Sequence, residues 1–238
     1  MSPFIPSTGH AVDATVKAHK LITADPNKYI LFKQVIVAGL PGTGTDGVAA
    51  ALKKLGFIVY DAAEAAKNHD RDFALWVEAA EAKKAGTPYG RNEFDKLTGR
   101  YNSLVGAPAA FFMEDLVKAY PDTKIILVTT DTNSFAKNIK KSIFFYADST
   151  FSPLKLLVHY EPSFYGLISS FLQTCVKPFF GGSFTPATAK IAYTQHINSI
   201  RAAVPSKRLL EIDQLKSWDS LCAFVGKPIP SEPIPSSH

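Results

Sequence analysis

The sequence predicts an α/β protein with three layers and a parallel sheet in the middle one. Three observations carry that prediction. A β-branched run, Gln34 to Ala38, ends in the glycine-rich loop Gly39-Leu-Pro-Gly-Thr-Gly-Thr45. An amphipathic stretch and a second apolar run follow that loop directly, and the same alternation returns between Ala109 and Val128. Strand, tight loop, helix and strand in that order form a parallel βαβ unit.

Taken in order, Gln34 to Ala38 is a continuous apolar run bounded by turn residues, which describes a buried strand. Asp46 to Gly56 follows as a helix, with Val48, Leu52 and Leu55 on one face, Asp46 as a first-turn acid and Gly56 as the stop. Phe57 to Tyr60 is the second strand. Ala109 to Tyr120 is helical, Pro121-Asp122 turns the chain, and Lys124 to Val128 is a strand feeding a helix through Asn133 to Tyr146. Leu209 to Ile212 is a short last strand, followed by a helix over Trp218 to Val225. A proline-rich tail, 227–238, should run extended over the surface. Between about 142 and 185 lies an aromatic-rich helical insertion, whose rings either pack as core or line an apolar substrate cavity.

Length and composition set the bounds. The 238 residues suit one domain, and 46% hydrophobic with 20% charged residues excludes disordered, collagen-like and membrane-spanning classes. The longest apolar stretch, Gly166 to Val176, is interrupted by polar residues and falls well short of the ~20 residues a spanning helix needs. A net charge of +5 permits anionic partners, but no basic stripe is interleaved with aromatics, so nucleic acid is not expected. Cys175 and Cys222 are too few for a disulfide framework, and the N-terminus has no basic stretch leading into an apolar one. The cytoplasm is the expected location. The oligomeric state is left open.

The loop between Gly39 and Asp46 is the chief chemical signal, because backbone N–H groups at a helix N-terminus form an anion site. As a nucleoside-triphosphate loop, G-x-x-x-x-G-K-[ST], it has Gly39 and Gly44 but offers Thr45-Asp46 in place of Lys-Ser/Thr. As a dinucleotide fingerprint, Gly42, Gly44 and Gly47 satisfy G-x-G-x-x-G, and Asp61 stands where an acid would hold the ribose of NAD(P). Against that alternative, Gly-Leu-Pro intervenes between the strand and the motif.

A third reading comes from resemblance. The stretch GLPGTGTDGVAAALKKLGF resembles the start of the fungal-type sulfotransferase-like family of P-loop proteins. FDKLTGRYNSLVGAPAAFFMEDLVKAYPDTKIILVTTD and SKRLLEIDQLKSWDSLCAFVGKPIPSEPIP are similar to two later segments of that family, in the same order. The resemblance implies a sulfotransferase-like fold and transfer of a sulfuryl group from 3′-phosphoadenosine-5′-phosphosulfate (PAPS) to a small-molecule acceptor. It also implies a residual anion loop of Gly42, Thr43, Gly44 and Thr45. The sequence departs from the family at points that matter. The loop's basic residue falls at Gly42, Asp46 replaces a small polar residue, and Thr130 and Asn138 stand where an Arg and a Ser would meet the 3′-phosphate. Charge-assisted contacts to phosphate are the strong ones, so losing two and adding a carboxylate argues against ordinary PAPS binding. Lys137, Lys140 and Lys141 are partial replacements or a solvated helix face.

The expected function is therefore a small-molecule enzyme working without a cofactor, a cyclisation, isomerisation or dehydration of an apolar metabolite. A PAPS-dependent sulfotransferase is the alternative. Asp46, Asp61, Glu64 and His69 are the acid–base candidates, because carboxylates and imidazoles near the carboxyl ends of parallel strands face the ligand. Asp131, Phe144, His159, Tyr160, Glu161 and Phe164 are the candidate substrate-pocket residues. Neither a H-E-x-x-H metal pattern nor a G-x-S-x-G nucleophile elbow occurs.

Overall fold

The protein is described by a computed structural model covering residues 20–27, 29–144, 162–213 and 215–235. Five strands, β1 (Val35–Val37), β2 (Val59–Tyr60), β3 (Ser103–Val105), β4 (Lys124–Val128) and β5 (Leu209–Ile212), make one parallel sheet in the order β2-β3-β1-β4-β5. Ile36 lies between Leu104 on one side and Ile125 on the other, which fixes the central register. Successive side chains of a strand point to opposite faces, and a sheet covered on both faces needs apolar residues at every position. Ile36, Ala38, Leu104, Ile125 and Leu127 belong to one core, while Val35, Val37, Val105, Ile126 and Val128 belong to the other.

The second face is covered by α2 (Thr45–Lys54) and α10 (Trp218–Val225), through Val48, Leu52, Leu221 and Cys222. The first face carries the larger layer: α4 (His69–Lys84), α5 (Arg91–Thr98), α6 (Met113–Ala119), α7 (Thr132–Ile139), α8 (Pro162–Phe171) and α9 (Pro186–Ala203). Two further short helices are α1 (Lys20–Ala24) and α3 (Ala62–Lys67). Trp76 centres the large core. Its ring meets Phe112 at 4.9 Å and Phe94 at 6.1 Å, and its indole N–H donates to the Tyr60 hydroxyl at 2.8 Å.

The strands and helices read from sequence are present, with shifted ends. The helix anticipated over Ala109 to Tyr120 begins as a 3₁₀ turn, Ala109–Phe112, and becomes α-helical at Met113. The helix anticipated through Tyr146 ends at Ile139 and widens into a π turn, Lys140–Phe144. Unanticipated are α4, α5 and β3. The periodicity of α4 is masked because acids occupy its buried side. Asp72 accepts from the Arg71 guanidinium at 2.6 Å, and Glu78 accepts the backbone N–H groups of Leu21 and Ile22, at 2.6 and 3.0 Å, at the start of α1. Burial pushes the Asp72 carboxyl up, against the pull of Arg71.

The described part of the tail, up to residue 235, folds back over α10. Gly226 takes φ 75° after the helix, the Trp218 indole donates to the Glu232 carbonyl at 2.7 Å, and Lys54 pairs with the Glu232 carboxylate. Cys175 and Cys222 are both free thiols and both buried.

Lys33 is an unusual core residue, 1% exposed, with its ammonium donating to the Thr98 carbonyl at 3.1 Å. Burial pushes its pKa down to about 8 from 10.5, against the opposing pull of Asp95. Between those two values the unfolded chain holds a proton that the folded chain has released. Lys33 by itself therefore adds stability as pH rises from about 8 towards 10.5, by about 3 kcal/mol at most. From about pH 9 the buried Cys175 and Cys222 thiols, and from about 10 the Tyr60, Tyr89 and Tyr120 hydroxyls, all held protonated by burial in the folded chain, act in the opposite direction. Urea unfolding of the wild type and of Lys33→Met should therefore show a stability difference that changes with pH between about 8 and 10 in favour of the wild type. The same pH dependence in both chains would contradict the assignment.

Candidate functional site

The ends of the three central strands open into one cleft of about 980 Å³. The loop from Gly39 to Gly44 leaves β1, Gly106 and Ala107 leave β3, and Thr130 lies past the end of β4. Asn138 at the end of α7, Lys141 and Ile143 from the π turn, and Asp213, Leu215 and Lys216 beyond β5 close the other side. Ligands of open parallel sheets bind at this edge, beyond the carboxyl ends of the strands.

The loop's shape is dictated by its glycines and by what packs behind it. Gly42 and Gly44 have φ of 88° and 91°, a region that side-chain-bearing residues avoid. Gly39 is required by proximity, since a Cβ there would stand 2.4 Å from the Thr45 methyl and 2.9 Å from Val128 Cβ. Thr43 is buried, and both its backbone N–H and its hydroxyl donate to the Leu40 carbonyl, at 3.2 and 2.8 Å. Of the anticipated anion loop, Thr43 therefore spends its donors inside the loop. The Asn138 amide donates to the Gly42 carbonyl at 3.0 Å and ties the loop to α7. Tyr193 of α9 clamps the neighbouring strand end, accepting from the Thr130 N–H at 2.7 Å and donating to its carbonyl at 2.9 Å.

The charges lining the cleft are three carboxylates, Asp46, Asp61 and Asp213, and two ammonium groups, Lys141 and Lys216. Asp46 is exposed in the first turn of α2, and among the described residues it forms no ion pair. Asp61 also lines the cleft, but it caps α3 by accepting the Glu64 N–H at 3.0 Å and pairs with Lys53. That commitment also leaves the dinucleotide alternative without a free ribose acid.

Three other anticipated residues sit outside the cleft lining, each for a local reason. Glu64 pairs with Lys67 and accepts from the Tyr101 hydroxyl at 3.3 Å. His69 is the first residue of α4. Its Nδ1 lies 3.2 Å from the Ala66 carbonyl, its Nε2 lies 3.1 Å from Asp70, and its ring meets Phe164 edge-on at 4.8 Å. Asp131 caps α7, where the Ser134 hydroxyl and N–H, with the Asn133 N–H, hold its carboxyl low. Phe164 packs on His69 and Tyr165, and Phe171 and Phe179 pack on Phe111; none of these rings lines the loop cleft. His159, Tyr160, Glu161 and the side chain of Phe144 lie outside the described residues.

Asp213, Lys216 and Gly106 were missed in the sequence. The signal for them was positional, since each lies within a few residues of a strand's carboxyl end. Among the described residues, no group of three His, Cys, Asp or Glu side chains gathers as a metal site, and no helix is long and apolar enough to cross a membrane.

PAPS fits these residues poorly. A side chain at Gly42 would combine positive φ with a Cβ 3.1 Å from that of Asn138, so the position that should carry the loop's cation cannot readily take one. The Asn138 amide is spent on the loop, Thr130 brings no charge, and Asp46 presents a carboxylate on the cleft wall. Lys141 and Lys216 remain as the only cations among the described lining residues.

A parallel sheet in the order β2-β3-β1-β4-β5, with a glycine loop joining its central strand to a helix, is consistent with a sulfotransferase-like α/β fold. Comparison with known proteins agrees with the geometry. The sulfotransferase domain family matches residues 34–238, and the chain belongs to that family. It is also 30% identical over 210 residues to Ava biosynthesis cluster protein M of Aspergillus versicolor, covering 85% of this chain and 79% of that protein.

Proposed function

We propose that this chain is an enzyme of fungal-type secondary metabolism that transforms a small, mainly apolar metabolite in the loop cleft, without a phosphosulfate donor. The observation that carries the reading is the exposed, unpaired Asp46 carboxylate on the cleft wall, where sulfuryl transfer would need a neutral or cationic group. The similarity to a biosynthesis cluster protein supports the metabolic setting. Aliphatic lining from Val105, Ala107, Val128, Ile143 and Leu215 suits an apolar body.

In this reading the Asp46 carboxylate takes a proton from the substrate, or returns one. Lys141 and Lys216 stabilise the oxygen on which negative charge develops. Asp61, held by its cap and by Lys53, positions the start of α3. Cyclisation, isomerisation and dehydration all need only such proton movements.

A second reading is favoured by one observation. Lys141 and Lys216 line the same cleft and give an anion two ammonium partners, so sulfuryl transfer from PAPS to a small-molecule hydroxyl is the alternative. Calorimetric titration with adenosine 3′,5′-bisphosphate, the spent donor, separates the two. We expect no saturable heat at millimolar ligand. Saturable micromolar binding would overturn the donor-free reading and place sulfuryl transfer first.

A further inference from the structure

We propose that the protein carries a second ligand site, for a small neutral aromatic molecule with one hydrogen-bond donor such as a phenol or an indole, and that His196 couples it to the glycine loop. The site is a cavity of about 350 Å³ between α6, α9 and the helical turn Lys177–Phe179. It shares no lining residue with the loop cleft.

His196, 6% exposed, lines this cavity. Its Nε2 lies 2.7 Å from the Ala38 carbonyl oxygen. A carbonyl can only accept, so Nε2 carries the proton, and burial keeps the imidazole neutral by pushing its pKa down. Nδ1 is then a bare acceptor. Among the described residues no hydrogen bond reaches it, yet it is not a fully buried unsatisfied atom. We place Nδ1 on the cavity that His196 lines.

The surroundings select the ligand class. Phe111 and Phe179, with ring centroids 5.1 Å apart and nearly perpendicular, supply aromatic walls, and Phe179 also faces the His196 ring at 5.8 Å. Lys83 at the rim is engaged by Asp115 at 2.7 Å and disfavours a cation, while Glu114 at the rim disfavours an anion. A neutral ring with one N–H or O–H donor matches walls, charge and acceptor together.

The coupling follows from covalent structure. Ala38 C=O and Gly39 N–H belong to one peptide unit, the first of the glycine loop, and a proton offered to Nδ1 strengthens Nε2–H as a donor to that carbonyl. A ligand in the cavity is thus felt at the loop without touching it. The proposal does not depend on which reaction the loop cleft performs.

The test is titration of the full chain with indole and with benzothiophene, its near-isostere lacking the donor, followed by heteronuclear NMR. We expect saturable indole binding about tenfold tighter than benzothiophene binding, with the Gly39 amide resonance moving along the indole titration. Gln195→Trp, at an exposed α9 position on the cavity wall, should abolish binding while leaving the melting curve unchanged. Equal affinity for the two probes, no saturation by indole, or full binding to Gln195→Trp would overturn the site. Binding with a stationary Gly39 resonance would overturn the coupling.

Discussion

Asp46→Ser should convert the loop cleft into an anion site. Adenosine 3′,5′-bisphosphate, which the wild-type chain should ignore, should bind the variant with at least tenfold higher affinity by calorimetry. A carboxylate roughly 4 Å from a phosphate charge costs about 4 kcal/mol at an effective dielectric near 20, and solvent screening at this exposed position reduces but does not erase that. The same substitution should lower turnover of the natural substrate by about 10²–10⁴-fold, the usual contribution of a positioned general base. Stability should fall by less than about 1 kcal/mol, the size of a first-turn helix–dipole interaction. A variant that gains no anion affinity and keeps its turnover would remove Asp46 from the site.

Gly39→Ala should damage the fold and the cleft together. The added methyl would lie 2.4 Å from the Thr45 methyl, 2.8 Å from the Thr43 hydroxyl and 2.9 Å from Val128 Cβ. None of these neighbours can yield easily. Thr45 begins α2, Thr43 is pinned to the Leu40 carbonyl, and Val128 belongs to the central sheet. Overpacking of this kind costs about 3 kcal/mol, which for a chain of this length lowers Tm by about 10 °C. Denaturant unfolding measures the loss directly, and near wild-type stability would show that the loop relaxes away from β4.

The same two residues mark how far the sequence was legible. Gly39 and Asp46 were found because a β-branched run, a glycine cluster and a first-turn acid are neighbours in the chain, and local steric and dipole effects act over that range. The βαβ start, the β4 strand and the final strand and helix followed from patterns of the same local kind. Local reading failed where burial contradicted composition. The acids of α4 hid its inward face because their partners, Arg71 and the α1 backbone, cannot be seen in a window of one helix.

Candidate residues were sorted by a different physics. Asp61, Glu64 and Asp131 have the right chemistry and lie beyond strand ends, yet Glu64 and Asp131 point outside the cleft, and Asp61 and Asp131 are consumed as helix caps. A cap and a catalytic acid look alike in one dimension, because both favour short acidic side chains just before a helix.

The sequence by itself determined the fold class and the glycine loop, since each follows from residue type at a fixed spacing, while the charges expected of a phosphosulfate site were implied only by the family resemblance. Only the tertiary structure decided which charges meet. Asp213 and Lys216 reach the cleft from beyond β5, more than 160 residues after the loop, and His196 reaches the Ala38 carbonyl across 158 residues. Such contacts arise from the order in which parallel strands assemble, which no local propensity encodes.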